Sequence, residues 1–384
     1  MSTGILIFFA GDFFDMENDN VQNQLKDIIG QCRRKDCLGR KPANLSDKMT
    51  GALYGRFAGC LLGVPVENHS IENMTELAGK NGTSFPPTDY WTNVDNPDGI
   101  QYGISKRTEY TKGGMTCVAV DDDITYTILN LLLLEKYGEN YTVDDVGKLW
   151  LDILPYACTA EDEALKQLKE GTEPMHAADF NDYVEWIGAA IRADAFGYAC
   201  AGFPGKAARL CYNDAYLTHR KNGIYGEMLC AAAVSAAFTS KTPLDAIKIG
   251  KKFIPIGCEL DLALDWALSY EGKIKDYLHA RELLDKKFAD MNCVHTINNM
   301  CALTFGLMLG GSDFTAIISN TVAIGLDNDC TGATAGSIAG ACLGAQNIPQ
   351  YWYKNFNDKV LTYLKGYPQL SLNDVAKRFE ALNK

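Results

Sequence analysis

The fold is decided by the stretch GALYGRFAGCLLG, residues 51–63, and by its counterpart GATAGSIAGACLG, residues 332–344. In both, glycine recurs at every fourth residue, which places four glycines on one face of a helix. Glycine inside a helix costs about 0.8–1 kcal/mol relative to alanine, so four in register make sense only where another backbone packs closely. We therefore predict that these two helices lie near the centre, against each other. That packing would bring the residues before Thr331 close to those after Gly63.

The rest of the chain is predicted to be helical as well. Apolar residues recur at helical spacing in successive segments between residues 124 and 323, among them one helix expected over residues 186–196 and one over residues 205–216, and strand-like alternation is scarce. We expect an all-α fold, a compact orthogonal multi-helix bundle, with no repeat of fixed period. The exception is residues 81–114, a Pro-, Gly-, Asp- and Asn-rich segment that we interpret as a loop lying over a site.

Two parts of the chain differ in composition. Residues 1–48 combine a short apolar start with a polar segment of little apolar periodicity, and we predict an N-terminal extension of unknown role. Residues 49–384 are predicted to form the main domain.

Overall composition narrows the partners. A net charge of −12 argues against general nucleic-acid binding, which needs clustered basic residues. No stretch is apolar enough for a membrane span. Thirteen cysteines without paired spacing are typical of reduced thiols, so we expect a cytoplasmic protein. The oligomeric state is left open.

Three consecutive aspartates, Asp121, Asp122 and Asp123, stand directly before an apolar helix. Helix capping explains one or two of them. Three in succession repel one another unless a cation offsets their charge, so capping and metal binding both remain open at this point.

A second acidic motif, GLDNDCT at residues 325–331, precedes the second glycine-striped helix. Its Asp327 and Asp329 offer two hard oxygen ligands, which suit Mg²⁺ or Mn²⁺ better than zinc. Together the two acidic motifs supply enough carboxylates for two ions, an arrangement that activates oxygens in hydrolysis.

In order along the chain, these motifs resemble the ADP-ribosylglycohydrolase family. The resemblance rests on G-x-x-x-G-C-x-x-G-x-P-x-E at residues 55–67, on Asp121-Asp122-Asp123, and on G-x-D-x-D at residues 325–329. It is supported by IRADAFG at residues 191–197, by DAYLTH at 214–219, by HTINN at 295–299 and by GSDF at 311–314. It spans about residues 49–353 and implies an all-α fold of the ADP-ribosylglycohydrolase type.

The resemblance implies a role for individual residues. It makes Asp122, Asp123, Asp327 and Asp329 metal ligands, with Asp121 where many members have a threonine ligand. A second ligand threonine is replaced by Cys330, so either Thr331 substitutes or one coordination position passes to water. Cys60 replaces an aspartate common in the first motif. The catalytic residues implied are Glu67, Asp122, Asp123 and Asp327, and the substrate-binding residues are His219, Asn298 and Asn299.

The function implied is hydrolysis of the glycosidic bond between ADP-ribose and a protein or small-molecule acceptor, with Mg²⁺ or Mn²⁺ as cofactor, two ions in all. Two alternatives stay open: hydrolysis of another ribosyl or nucleoside-like N-glycoside, and a non-catalytic relative that binds metal or ADP-ribose.

Overall fold

The computed structural model describes residues 23–383. Helices dominate them, which confirms the predicted all-α class. In the first half of the chain the helices are α1 (Leu25–Gln31), α2 (Leu45–Gly63), α3 (Ile71–Asn81), α4 (Asp122–Tyr137), α5 (Val143–Ile153), α6 (Thr159–Lys169), α7 (Gly188–Arg192) and α8 (Asp194–Ala199). In the second half they are α9 (Pro204–Leu210), α10 (Tyr212–Thr218), α11 (Asn222–Ala237), α12 (Pro243–Gly250), α13 (Glu259–Leu268), α14 (Tyr277–Lys287), α15 (Thr296–Gly310), α16 (Phe314–Ile324), α17 (Asn328–Leu343) and α18 (Leu372–Leu382).

The strands of the described residues form two short antiparallel pairs. Strand β1 (Ile100–Gln101) pairs with β2 (Ser105–Lys106), and β3 (Val360–Leu361) pairs with β4 (Gln369–Leu370). Neither pair contributes a layer to the core, which lies between helices.

Helices α2 and α17 are in backbone contact along their glycine faces. A Cβ atom added at Gly55 would lie 2.0 Å from the Gly336 carbonyl oxygen, and one at Gly59 would lie 1.9 Å from that of Gly332. Any side chain at these positions would force the helices apart. One added at Gly63 would lie 2.3 Å from the Asp329 Cα atom, so the end of α2 meets the start of α17. The packing predicted from the glycine spacing is confirmed.

The helix boundaries depart from the sequence prediction where charges are buried. One helix expected over residues 186–196 is two, α7 and α8, and one expected over residues 205–216 is also two, α9 and α10. Around the first break, Arg192 and Asp194 pair with different elements of the core. Helices such as α14 escaped prediction because they bury few residues; of its eleven, only Ala280 and Leu284 are buried.

The described part of the N-terminal extension lies along the helical body. Helix α1 buries Ile28, and Arg33 forms an ion pair with Asp261 in α13. The backbone N–H of Arg34 donates to the carbonyl of Lys252 at 2.9 Å. The division at residue 48 stays a prediction, but residues 25–40 contribute contacts to the core, and α2 already begins at Leu45.

Loop 81–114 packs on the same side of the body as the end of α2. The Trp91 indole donates to the carbonyl of Leu62 at 2.9 Å, and Arg107 donates to the carbonyl of Pro65 at 3.0 Å. None of the helices between residues 23 and 383 has the length and apolar character needed to cross a membrane.

Candidate metal centre

Three chain segments converge where α2, α4 and α17 meet. Asp121 caps α4 by accepting a hydrogen bond from the Asp123 N–H at 3.0 Å, and Asp327 is the residue before α17. Glu67 follows the single 3₁₀ turn after α2. We call Glu67, Asp121, Asp122, Asp123, Asp327 and Asp329 the carboxylate centre. The glycine contacts between α2 and α17 hold its parts together, although they lie some 200 residues apart in sequence.

Within the carboxylate centre, ligand atoms form three overlapping groups. In each group the potential ligand atoms all lie within 4.8 Å of one another. Asp123 and Asp329 are each shared by two groups. The groups are Glu67, Asp327 and Asp329; Asp123, Asp329 and Cys330; and Cys60, Asp121 and Asp123.

Two carboxylate oxygens of the centre are buried without a hydrogen-bond partner, Asp123 Oδ2 and Asp327 Oδ1. A buried polar atom left unsatisfied costs about 1–3 kcal/mol, and more when it is charged. Such oxygens, crowded with others, fit a divalent cation, which binds carboxylates and offsets their charge.

The electrostatics of the carboxylate centre agree with this fit. Burial, partly opposed by Arg56, raises the pKa of Asp123 to about 8. Although Glu67 lies at the surface, desolvation of its carboxyl group and the charges of Asp327 and Asp122 raise its pKa to about 7. Burial and neighbouring carboxylates hold the pKa of Asp329 well above its ordinary value. The metal-free centre therefore retains protons that a bound cation would displace.

Asp122 lies at the edge of the carboxylate centre. It is half-buried, and its Oδ1 accepts a hydrogen bond from the Asp123 N–H at 3.1 Å. It belongs to none of the three ligand groups found among the described residues. Its charge nevertheless acts on Glu67 and Asp327, so it lies close to both.

Cys330, rather than Thr331, faces the carboxylates. The Thr331 hydroxyl donates to the carbonyl of Asp327 at 3.0 Å, a bond within its own helix. The Cys330 thiol instead belongs to the group with Asp123 and Asp329. Cys60 also points into the centre, and its thiol donates to Asp121 Oδ1 at 3.2 Å. Burial raises the pKa of both thiols.

Asn299 holds the second acidic motif in place. Its Oδ1 accepts from the Asp327 N–H at 3.2 Å, and its Nδ2 donates to the carbonyls of Cys293 and His295. Since Asn299 is fully buried and all these partners are backbone groups, its visible role is to position Asp327.

Asn298 lines a cavity of about 320 Å³ that opens beside the carboxylate centre. Leu326, the neighbour of Asp327, forms part of the same wall, and Arg281 supplies a guanidinium group. Asp285, which accepts a hydrogen bond from Arg281 at 2.7 Å, and Cys293 also line the cavity, together with apolar side chains such as Leu284, Phe288 and Met291.

His219 lies apart from the carboxylate centre, in the protein interior. It is fully buried, its Nε2 accepts from the Ala189 N–H at 3.3 Å, and its Nδ1 is 2.6 Å from the Thr218 hydroxyl. Burial holds the pKa of His219 well below its ordinary value, so the ring is neutral. His219 closes α10 with both ring nitrogens engaged within the protein. The substrate-binding role that the resemblance implies for it stays a prediction.

Next to His219 is a second group of buried charges, which we call the arginine-paired cluster: Arg192, Glu161, Asp214 and Glu227. Arg192 donates to Asp214 Oδ2 at 2.6 Å and to Glu161, and Glu227 lies 3.7 Å away. Arg56 plays a similar part for Asp194 and Asp123, at 2.7 and 3.0 Å. Sequence reasoning missed these arginines. The feature that could have revealed them is a charged residue within an otherwise apolar helix, such as Arg56 next to Gly55 in α2.

Comparisons with known proteins agree with the fold and the motifs. The family model for ADP-ribosylglycohydrolase matches residues 41–382, so the chain belongs to the ADP-ribosylglycohydrolase family. A search of curated proteins finds no match. Among solved structures, the chain is similar to one described as "ADP-ribosylglycohydrolase-related protein complex", with 17% identity and a TM-score of 0.54. The similarity covers 89% of this chain and 99% of that one, and at this identity it bears on the fold alone.

Proposed function

We propose that this protein hydrolyses the glycosidic bond between ADP-ribose and an acceptor, with divalent cations held by the carboxylate centre. One observation carries the proposal: two buried, unpartnered carboxylate oxygens, Asp123 Oδ2 and Asp327 Oδ1, belong to one centre beside an open cavity. Family membership supports glycosyl hydrolysis in general.

Glu67, Asp327 and Asp329 would hold one ion, an all-oxygen group of the kind that Mg²⁺ and Mn²⁺ prefer. Asp123 would contribute to the second ion, and Asp121 and Asp122 to the edge of the site. When bound, such ions orient substrate oxygens and lower the pKa of water.

The chain's own residues supply the rest of the mechanism. Asn299 fixes Asp327 through its backbone N–H, so that carboxylate is oriented before the substrate arrives. Glu67, the surface member of the all-oxygen group, would place a carboxylate oxygen where it can accept a proton from the attacking water and return it to the leaving group.

The cavity next to Asp327 is the proposed binding site for part of ADP-ribose. Its volume is at the lower end of the range for ligand pockets, about 300–1,000 Å³, so the acceptor would remain outside. Asn298 and the guanidinium of Arg281 offer polar contacts, and Phe288 offers an apolar surface for a base. Because the net charge is −12, nucleic acid is not among the proposed partners. The thirteen free thiols support the cytoplasm as the proposed location.

A turnover assay tests the proposal. Metal-free protein is incubated with ADP-ribosylated arginine, ADP-ribosylated serine peptide and a simple nucleoside, with and without Mg²⁺ or Mn²⁺. Free ADP-ribose is measured in the first two reactions and free ribose in the third. We expect ADP-ribose release only with a cation, and at least a 100-fold loss in Asp327→Asn. The exposed aspartate in Asp182→Asn is the matched control.

Three outcomes separate the alternatives. Hydrolysis of the nucleoside alone would favour the N-glycosidase. Binding of ADP-ribose in calorimetry without turnover on any substrate would favour the non-catalytic relative. Full turnover by protein shown to be metal-free would contradict the proposal itself.

A further inference from the structure

Two thiols lie beside the carboxylate centre, and an all-oxygen Mg²⁺ or Mn²⁺ site does not need them. Cys60 and Cys330 are both buried and both belong to ligand groups that contain Asp123. Cys330 stands where the resemblance implies a ligand threonine, and Cys60 stands where an aspartate is common in the first motif. The chain therefore departs from an all-oxygen site at two positions on one side of the centre.

The two thiols have different partners. The Cys60 thiol donates a hydrogen bond to Asp121 Oδ1 at 3.2 Å, so it is already satisfied by a neighbour. Cys330 shares its group with Asp123, whose Oδ2 is buried without a partner, and with Asp329, whose Oδ1 accepts the Cys330 N–H at 2.9 Å. Asp123, which has one unpartnered oxygen, and the second thiol thus belong to the same group.

We propose that Asp123, Asp329 and Cys330 form a site for a thiol-binding divalent cation of the Zn²⁺ class, distinct in selectivity from the all-oxygen group of Glu67, Asp327 and Asp329. The inference rests on the proposed function in that it assigns one of the two ion positions. Thiolates favour Zn²⁺ and similar ions over Mg²⁺, and zinc accepts carboxylates beside sulfur.

The geometry suits such an ion. Metal–ligand distances of about 2.0–2.3 Å in tetrahedral arrangement put ligand atoms about 3.3–3.8 Å apart. The three ligand atoms already lie within 4.8 Å of one another, so small side-chain shifts would close the site. Three protein ligands leave a fourth position open, the arrangement of hydrolytic zinc sites.

The backbone holds these ligands in place. An added Cβ at Gly59 would strike the Gly332 carbonyl, and one at Gly63 would strike Asp329 itself. The start of α17, with Asp329 and Cys330, is therefore packed tightly against the end of α2. Arg56 donates to Asp123 Oδ1 at 3.0 Å, and Oδ2 is the oxygen without a partner.

Cobalt substitution tests the assignment without relying on turnover. Metal-free protein is titrated with Co²⁺, and the absorption spectrum is recorded for a sulfur-to-cobalt charge-transfer band. We expect the band in the native protein and its loss in Cys330→Ser. We expect it to persist in Cys60→Ser and in the control Cys342→Ser, a buried thiol farther along α17 that donates to the carbonyl of Ser240.

Competition supplies the second readout. In excess Mg²⁺ the native protein should still bind Zn²⁺, and Cys330→Ser should weaken Zn²⁺ binding at least about tenfold while leaving Mg²⁺ binding within about threefold. A cobalt complex without the band in the native protein, or a band lost in Cys60→Ser, overturns the assignment. The absorption spectrum of the native protein can overturn the assignment on its own, so the test holds even if a variant fails to fold. A band without hydrolysis would uphold this site and refute the proposed function; hydrolysis with Mg²⁺ and no band would do the reverse.

Discussion

The carboxylate centre and the arginine-paired cluster both place acidic side chains in the protein interior, although Glu67 of the centre is exposed and Asp122 half-buried. They differ in the cation that faces the carboxylates. Arg192 donates to Glu161 and Asp214 and lies 3.7 Å from Glu227, so one guanidinium faces all three carboxylates, although Asp214 Oδ1 and both Glu227 oxygens accept no hydrogen bond. In the carboxylate centre Arg56 reaches only Asp123, and Asp123 Oδ2 and Asp327 Oδ1 are unpartnered. A buried charge needs a partner, so we expect the carboxylate centre, unlike the arginine-paired cluster, to need an external cation.

The largest effect is expected from removing the internal cation. Arg192→Met leaves up to three carboxylates buried without their partner, and breaking a buried pair in this way costs about 3–5 kcal/mol. Urea unfolding measures the free energy of unfolding. Arg378→Met, which breaks the surface pair with Glu135, should cost about 1 kcal/mol or less. Equal losses in the two variants would mean that the arginine-paired cluster is no more important than a surface pair.

The difference in the free energy of unfolding between Glu161→Gln and wild type is expected to depend on pH, because Arg192 alone cannot offset the charges of three carboxylates. Burial, partly opposed by Arg192, raises the pKa of Glu161 to about 7 from an ordinary 4.5. Because the folded value is the higher, its stabilising contribution is complete below pH 4.5 and is lost as the pH rises through about 7. The free energy of unfolding of Glu161→Gln, relative to wild type, should therefore increase by about 3 kcal/mol across that window.

Unfolding at a series of pH values checks this, with a substitution of the exposed residue directly after α6, Glu170→Gln, as control. A pH profile of Glu161→Gln parallel to that of the wild type would show that Glu161 titrates at its ordinary pKa.

The smallest effect, and the one of opposite sign, is expected in the carboxylate centre. Asp327→Asn removes a charge from a crowded group and keeps a side chain suited to the start of α17, so the metal-free variant should be more stable by about 1 kcal/mol. Added Mn²⁺ stabilises the wild type by mass action and should reverse the order. Thermal unfolding with and without Mn²⁺ measures both. As a control, the difference in stability between wild type and Asp313→Asn, at the start of the neighbouring α16, should not change when Mn²⁺ is added. If Asp327→Asn were less stable than wild type both with and without Mn²⁺, Asp327 would behave like the carboxylates of the arginine-paired cluster.

The contrast between the two clusters also bears on which parts of the structure could be predicted from the sequence. Glycine spacing predicted the contact of α2 with α17 because a missing Cβ leaves a period that backbone packing alone explains. The acidic motifs predicted the carboxylate centre because carboxylates in succession are costly without a cation. Both signals are local in sequence. The contact between Gly63 and Asp329 connects them in the structure.

The remaining parts of the site depend on which distant side chains meet. Nothing local distinguishes a buried His219 from a solvated one, or shows that Glu161 and Arg192 pair across 31 residues. That Cys330 rather than Thr331 faces Asp123 depends on the rotation of α17, which the glycine contacts set. The packing of residues 25–40 was also hidden, since it involves isolated contacts such as Ile28 rather than a periodic face.

Calorimetric titration of metal-free protein with Mn²⁺ tests most directly whether the carboxylate centre requires an external cation. We predict saturable binding of about two ions per chain, and loss of at least one of them in Asp327→Asn. Absence of any binding at millimolar Mn²⁺ by a folded native protein would contradict the account, because the carboxylates of the centre would then be balanced by their own protons alone.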